Sequence, residues 1–212
     1  NVKGKITESI LKLLNIKYTI IRTNNDLKRF DKQIKIAKKK NTIVACLIEQ
    51  GTFEKVKKDN KKDFYKLDKE FFLKTLLQTL EKNTKIISST GYNSRELMHL
   101  RNKYKIIKSS DFYMVGGMGH TSSVALGYSL SSINNTVCID GDGSMLMHTG
   151  SMGISSQIDN FLHIIINNGA HDSVGGQPTL GKSLDLEKIA KNFGYKMSFS
   201  VSAKKDLLKI LN

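Results

Sequence analysis

Cysteine, arginine and long apolar runs are scarce in this sequence of 212 residues. No apolar run is long enough to span a bilayer and the first residues show no signal-peptide pattern, so we expect a cytoplasmic protein without a membrane partner. The two cysteines, Cys46 and Cys138, lie in apolar strand-like runs, which indicates buried free thiols in a reducing compartment rather than a disulfide framework. Neither cysteine has the sequence spacing of a metal-binding motif.

Arginine is scarce even though the formal net charge is +15. The only arginines are Arg22, Arg29, Arg95 and Arg101, and the many lysines are spread through predicted helices and a linker. A nucleic-acid surface usually concentrates positive charge on one face or along one helix. We therefore expect no nucleic-acid partner.

The chain divides by composition into three stretches. Residues 1–50 alternate helical and strand patterns, residues 51–68 form a polar, lysine-rich linker, and residues 69–212 again alternate helices and strands. The alternation in 69–212 predicts an α/β fold with a doubly wound, mostly parallel sheet. The predicted helices span 5–14, 26–40, 69–82, a segment capped by Asn93 or Ser94 that runs to 104, 120–131, 144–157, 185–193 and 204–212. The predicted strands span 18–21, 41–48, 85–88, 112–115, 137–139, 161–166 and 196–201.

The most informative pattern lies between residues 137 and 168. A short strand at 137–139 leads into Gly141-Asp142-Gly143-Ser144, and a second strand at 161–166 leads into Asn167-Asn168. In a parallel strand–helix–strand unit both strands end at the same edge of the sheet. We therefore expect Asp142 and Asn168 to lie side by side at that edge.

Oxygen ligands and backbone amides at this edge indicate a metal ion and an anion. Asp142 offers a carboxylate oxygen and Asn168 an amide oxygen, and both suit Mg²⁺. Gly141 and Gly143 permit close backbone approach, and the amides of Gly143 and Ser144 open a helix, where a phosphate binds favourably. The pattern predicts a Mg²⁺–diphosphate site, with a structural turn capped by Asp142 and Asn168 as the alternative.

Four segments carry a family resemblance: GDGSMLMHTGS from residue 141, NNGAHDSVGGQPT from 167, GGMGHTSS from 116 and SSTGYNSREL from 88. Together they resemble the phosphonopyruvate decarboxylases, which are thiamine-diphosphate-dependent enzymes, and the related sulfopyruvate decarboxylases. The match covers most of residues 41–200 and is most specific at 141–179. The resemblance implies thiamine diphosphate and Mg²⁺ as cofactors and a thiamine-diphosphate-binding fold for residues 69–212.

The resemblance also implies roles for individual residues. Asp142, Asn168 and the backbone carbonyl of Ala170 would bind Mg²⁺. Met118, between glycines, would hold the cofactor in its bent shape, and the carbonyl of Gly116 would accept a hydrogen bond from the aminopyrimidine. The alternative for Met118 is ordinary core filling.

Further candidates follow from their place at the predicted edge. Thr90 and Gly91 end a strand there and are candidates for diphosphate contacts or for an ordinary turn. Arg95, in the first turn of the next helix, suits a phosphonate or carboxylate, with a solvated surface arginine as the alternative. His171 and His120 are the candidate catalytic residues, because a 2-oxo acid needs proton donors near the new carbanion. The other histidines, His99, His148 and His163, are expected to be structural.

The implied activity is decarboxylation of phosphonopyruvate, a small anionic 2-oxo acid, to phosphonoacetaldehyde and CO₂. The resemblance further implies a homo-oligomer, dimeric or larger, with the active site at a subunit interface. The alternatives are sulfopyruvate decarboxylation and a non-catalytic cofactor-binding or assembly subunit.

Residues 1–50 resemble only the C-terminal end of the domain that holds the pyrimidine ring of the cofactor, and both ends of the chain look cut. We therefore expect a fragment of a longer protein. The family activates the cofactor with a glutamate from the early part of that domain. Glu8 and Glu49 are the candidates here, and since neither lies in the expected context, we expect the activating glutamate to lie outside this chain.

Overall fold

The computed structural model describes residues 2–54, 66–106 and 111–211, and the chain divides into two compact units, 1–62 and 63–212. The first unit contains α1 (Val2–Leu13), β1 (Lys17–Ile21), α2 (Asn24–Lys40) and β2 (Val44–Ile48). The two strands pair in parallel, and α2 forms the crossover connection that a parallel pair needs. This confirms the predicted order of elements, whereas most of the predicted linker, residues 55–65, lies outside the described part.

The second unit alternates helices and strands, as the sequence predicts. Its elements, in chain order, are α3 (Lys69–Thr79), β3 (Lys85–Ser88), α4 (Tyr92–Lys103), β4 (Phe112–Tyr113), α5 (Thr121–Leu130), β5 (Thr136–Gly141), α6 (Asp142–Met147), α7 (Ser151–Ser155), β6 (Phe161–Ile166), a short 3₁₀ helix (Leu180–Lys182), α8 (Leu186–Asn192) and α9 (Lys204–Leu211). None of the helices in the described ranges is long and apolar enough to cross a bilayer.

The sheet of the second unit has the order β4-β3-β5-β6, and every pair of strands is parallel. Alternate residues of its strands point to opposite faces. Val137 and Ile139 pack with Leu73 of α3 and Leu97 of α4, whereas Cys138 packs with Ala125 of α5 on the other face. Helices therefore cover both faces, and the prediction of a doubly wound parallel α/β fold is confirmed.

A buried ion pair fixes the end of α4 beside β4. The Arg101 guanidinium donates two hydrogen bonds to the Asp111 carboxylate, at 2.9 and 3.0 Å, and both side chains are almost fully buried. The Tyr113 hydroxyl also donates to Asp111. Burial, followed by the charge of Asp111, raises the pKa of Tyr113 to about 12. The pair therefore joins α4 to the edge strand from inside the core.

Three predicted elements are wrong in detail. The helix predicted at 144–157 is two short helices, because His148 leaves helical geometry and Thr149 bonds to the carbonyls of the preceding turn. The strand predicted at 196–201 does not join the described sheets, and Ser198 and Ser200 bond instead to Glu187 of α8.

The predicted helix cap is the third error. The helix α4 begins at Tyr92 with Gly91 as its N-cap, at a φ of 100° that strongly favours glycine. The Ser94 hydroxyl, predicted as a cap, donates instead to the carbonyls of Ser88 and Ser89 at the end of β3. The helix is therefore held to its strand by a buried serine.

Candidate functional site

The carboxyl ends of β5 and β6 lie together, which positions the predicted site. The two strands pair in register up to Gly141 and Ile166, so Asp142 and Asn167 follow immediately at the same edge. Asp142 is 2% exposed, and the Thr179 hydroxyl donates a hydrogen bond to its Oδ2. The loop after β6 therefore returns to the first residue of α6 and contacts its carboxylate.

Gly181 lies very close to the side chains of Asp142 and Asn167. A Cβ atom at Gly181 would collide with the carboxylate of Asp142 and with Oδ1 of Asn167. The Asn167 amide in turn donates to the carbonyl of Gly181 at 2.7 Å. Carboxylate, amide and hydroxyl oxygens therefore converge here, and such an oxygen-only donor set fits Mg²⁺. Sequence reasoning missed Thr179 and Gly181, because their distance along the chain gives no sign of this contact.

The Asn168 side chain forms hydrogen bonds within the loop that follows β6. Oδ1 of Asn168 accepts a hydrogen bond from the Ala170 amide at 3.1 Å, and its Nδ2 donates to Asp172 at 2.6 Å. The side chain that shares contacts with Asp142 at Gly181 is that of Asn167. The assignment of Asn168 and the Ala170 carbonyl as metal ligands stays a prediction.

Gly143 has no room for a side chain, because His171 packs directly against it. A Cβ atom at Gly143 would clash with the imidazole of His171 and crowd the methyl group of Thr179. His171 therefore lies directly against the segment predicted to hold the diphosphate. This position agrees with the predicted catalytic role of His171, which the contact itself does not test.

The glycine-rich loop is joined to the same segment. The Gly119 amide donates to the hydroxyl of Ser144 at 3.0 Å, and Gly119 has a φ of 89° with Met147 beside it. Met118, half-buried, precedes this contact, and Gly116 is exposed with open space around it. The two residues predicted to orient the cofactor thus lie on a loop that is anchored to α6.

The remaining candidates at this edge make mainly local contacts. The Thr90 hydroxyl donates to the carbonyl of Val115 at 3.1 Å. Gly91 lies against Ser173, so the loop after β6 also approaches the end of β3. Arg95 is exposed, with its guanidinium 5.2 Å from the centre of the Tyr92 ring.

His120 has a histidine partner that the sequence did not single out. The rings of His120 and His148 lie 4.9 Å apart at an angle of 55°, and both residues are exposed. His148 is available there because α6 ends at Met147 and the chain turns. A signal that could have found this pair is the early helix end at Thr149-Gly150.

The two glutamates of the first unit make exposed contacts within that unit. Glu49 forms an ion pair with Arg22 at 2.5 Å, and Glu8 accepts a hydrogen bond from the Tyr18 hydroxyl at 2.7 Å. Neither contact tests the expectation that the activating glutamate lies outside this chain.

The comparisons with known proteins identify the family of this domain. The family described as "Thiamine pyrophosphate enzyme, C-terminal TPP binding domain" matches residues 89–212, which is more than half of the chain. The chain therefore belongs to the thiamine-pyrophosphate-enzyme family and carries its C-terminal cofactor-binding domain.

Curated relatives are named for two activities. A phosphonopyruvate decarboxylase of Streptomyces viridochromogenes is 38% identical over 137 residues, which is 64% of this chain and 33% of that protein. Sulfopyruvate decarboxylase subunit beta of Methanocaldococcus jannaschii is 36% identical over 125 residues, which is 58% of this chain and 64% of the subunit. The chain thus spans about a third of the length of the phosphonopyruvate decarboxylase that it matches.

Solved structures show the same fold at low identity. A thiamin diphosphate-dependent enzyme from Mycobacterium smegmatis superposes with a TM-score of 0.54 at 19% identity, covering 69% of this chain and 29% of its own. Benzoylformate decarboxylase from Polynucleobacter necessarius superposes with a TM-score of 0.53 at 16% identity, and the match covers 92% of this chain and 41% of that protein. At this identity the likeness establishes the fold alone.

Proposed function

We propose that the whole protein, meaning the gene product that contains this sequence, is a Mg²⁺- and thiamine-diphosphate-dependent decarboxylase of phosphonopyruvate. The observation that carries the proposal is the closure of the loop 167–181 onto the buried Asp142, within a domain of the thiamine-pyrophosphate-enzyme family. A buried carboxylate surrounded by oxygen ligands beside a glycine-rich helix start is suited to a metal–diphosphate group.

The chain's own residues would bind and orient the reactants. Asp142, Asn168 and the Ala170 carbonyl would hold Mg²⁺, and the amides of Gly143 and Ser144 would receive the diphosphate. Asn167 and Thr179 would hold the ligands in place through the contacts at Gly181. When bound, thiamine diphosphate supplies a carbon nucleophile and a positive ring that accepts the electrons left as CO₂ departs.

Other candidates would set orientation and proton supply. Met118 and Gly116, on the loop anchored by Gly119, would set the bend of the cofactor. His171, which lies against Gly143, and His120 would donate protons or hydrogen bonds near the reacting carbon. Thr90 and Gly91 would border the diphosphate, and the exposed Arg95 would attract the anionic end of the substrate.

Sulfopyruvate decarboxylation is the second candidate, and a specific observation favours it. The methanogen proteins named sulfopyruvate decarboxylase subunit beta match this chain at 33 to 36% identity, close to the 38% of the phosphonate enzymes. Both substrates are 2-oxo acids with a second anionic group. The subunit name also supports a proposal of assembly, in which the active site lies between copies or between subunits.

We also propose how the chain divides into domains. Residues 1–50 would be the C-terminal end of a pyrimidine-binding domain, followed by a linker at 51–68 and the diphosphate-binding domain from 69. A cofactor-binding or assembly subunit without activity of its own is the remaining alternative. It differs from the enzyme in one measurable respect, which is the absence of CO₂ release.

The test compares three substrates in the whole protein. We expect kcat/KM for phosphonopyruvate to exceed that for pyruvate by about a hundredfold or more, because a site built for a second anion is left with unpaired polar groups when the anion is missing. Sulfopyruvate as the best substrate would select the second candidate, and no CO₂ release with any substrate would select the subunit without activity.

A variant pair tests the anion contact. Arg95→Ala should raise KM for phosphonopyruvate more than KM for pyruvate. Arg29→Ala removes another exposed arginine, which pairs with Asp26 in the first unit, and should change neither value. Equal effects of Arg95→Ala on both substrates would contradict a role in recognising the second anion.

A further inference from the structure

A thiol, a carboxylate and an imidazole meet in the core beneath the strand edge. Cys138 and Asp140 lie two residues apart on β5 and point to the same face, and His163 on β6 is paired in register with Cys138. One donor atom from each of the three side chains lies within 4.8 Å of the other two. The cluster could not be predicted from the sequence, because the pairing of β5 with β6 creates it.

Two polar atoms of the cluster have no hydrogen-bond partner among the described residues. Oδ2 of Asp140 and Nε2 of His163 are buried and bond to no other atom of the described residues. They lie 3.9 Å apart, which is too far for a direct hydrogen bond. Asp140 and Cys138 are 0% exposed and the His163 side chain is 3% exposed. Burying polar atoms without a hydrogen-bond partner costs folding free energy, so the arrangement of these two atoms indicates a shared ligand.

The other polar atoms of the same side chains are already held. Oδ1 of Asp140 accepts a hydrogen bond from the Gly141 amide at 3.0 Å. Nδ1 of His163 is hydrogen-bonded to the Tyr195 hydroxyl at 3.1 Å. A histidine that binds a metal through one ring nitrogen typically has its other nitrogen fixed in this way. The cluster therefore combines oriented side chains with unpartnered atoms.

We propose that Sγ of Cys138, Oδ2 of Asp140 and Nε2 of His163 bind a transition-metal ion, and that the ion is Zn²⁺. Zinc accepts sulfur, nitrogen and oxygen ligands in tetrahedral sites, whereas Mg²⁺ requires oxygen ligands. A thiolate, a carboxylate and a neutral imidazole together neutralise a dication. The three side chains leave a fourth position for water.

The competing explanation is a buried water in an otherwise metal-free cluster. Without a cation the buried thiol stays neutral, because burial disfavours a charged thiolate. A zinc ion removes that proton on binding. The two explanations therefore differ in whether a cysteine thiolate is present in the folded core.

This site is separate from the one proposed for Mg²⁺. Asp140 lies on β5 within the sheet, whereas Asp142 begins α6 and contacts the Thr179 hydroxyl. A zinc ion at Asp140 would link β5 to β6 just below the edge where both loops begin. The ion would fix the relative position of the two strands that carry the diphosphate and metal residues.

The first test measures metal content and a cobalt spectrum in the whole protein. Protein purified without chelator should contain stoichiometric zinc that excess Mg²⁺ does not displace. After replacement of zinc by Co²⁺, a thiolate-to-cobalt charge-transfer band should appear. A protein with no zinc, or with bound Co²⁺ but no thiolate band, would overturn the proposal in favour of buried water.

Four variants test which residues bind the cobalt ion that gives the charge-transfer band. Cys138→Ser should abolish it, whereas Cys46→Ser, in the first unit, and Asp142→Asn, at the Mg²⁺ site, should retain it. Tyr195→Phe leaves all three ligands intact and should weaken Co²⁺ affinity about ten- to a hundredfold through loss of the His163 contact. This variant keeps the test decisive if Cys138→Ser fails to fold. A band that survives Cys138→Ser, or an affinity unchanged in Tyr195→Phe, would place the metal elsewhere.

Discussion

The Thr179 hydroxyl donates a hydrogen bond to Oδ2 of Asp142 and accepts one from the Gly181 amide at 3.1 Å. The loop after β6 thus fixes the orientation of a buried carboxylate at the start of α6. Residues that orient metal ligands in this way typically contribute a factor of ten to a hundred to metal affinity.

Thr179→Val should therefore weaken Mg²⁺-dependent binding of thiamine diphosphate by about ten- to a hundredfold, because it removes the hydroxyl and preserves the shape. Isothermal titration of the cofactor at fixed Mg²⁺ measures the change. Thr79→Val is the matched control, since the Thr79 hydroxyl donates to the carbonyl of Thr75 within α3. Equal affinities for Thr179→Val and the wild-type protein would refute an orienting role.

Gly181→Ala should disturb the same site by a steric route. The added methyl group would meet the Asp142 carboxylate and Asn167, so one of them must move. We expect cofactor affinity to fall at least about tenfold and stability to fall by about 1–3 kcal/mol, as for other overpacked sites. Titration and urea unfolding measure the two effects.

Gly150→Ala provides the control for this change. A Cβ atom at Gly150 meets nothing within 4 Å, and its φ of −57° suits any residue. Its cofactor affinity should stay at the wild-type value. If Gly181→Ala and Gly150→Ala had the same cofactor affinity, the close contact at Gly181 would not contribute to cofactor binding.

The fold was largely predictable from sequence, and the reasons are visible in β5. Apolar β-branched residues followed by glycines predicted this strand, and helices packed on both faces explain its continuous burial. The predicted strand at 196–201 failed because its backbone bonds to Glu187, a tertiary contact that local pattern does not encode. The prediction of one continuous helix at 144–157 was wrong because Thr149 and Gly150 are weak helix formers and His148 leaves helical geometry.

The candidate site was only partly predictable. Asp142 could be placed at the strand edge because parallel strands end together. Thr179 and Gly181 could not, since their contact with Asp142 depends on how the loop after β6 folds back. The Cys138, Asp140 and His163 cluster was missed for a similar reason, because register between two strands brings the three side chains together.

Arg101→Met should cost about 3–5 kcal/mol of unfolding free energy, because it removes the guanidinium that donates two hydrogen bonds to the buried Asp111 carboxylate. Urea unfolding followed by circular dichroism measures this loss. Arg29→Met breaks an exposed pair with Asp26 on α2 and should cost no more than about 1 kcal/mol. Similar losses in the two variants would contradict a stabilising role that depends on burial.

The last prediction separates catalysis from cofactor binding. The His171 imidazole lies against Gly143, in the segment proposed to receive the diphosphate. His171→Gln should lower kcat for phosphonopyruvate by about a hundredfold or more, the usual contribution of a positioned acid or base, with little change in cofactor affinity. Steady-state kinetics at saturating cofactor, with titration of thiamine diphosphate, measures both.

Two results decide how His171 is interpreted. His99→Gln changes an exposed histidine on α4 and should leave kcat and cofactor affinity unchanged. A loss of cofactor affinity in His171→Gln that matches the loss of kcat would assign His171 to packing on the diphosphate segment. A flattened acidic or basic limb in the pH profile of kcat, with affinity intact, would instead identify it as the proton donor, because only a titrating group in the reacting complex changes that profile.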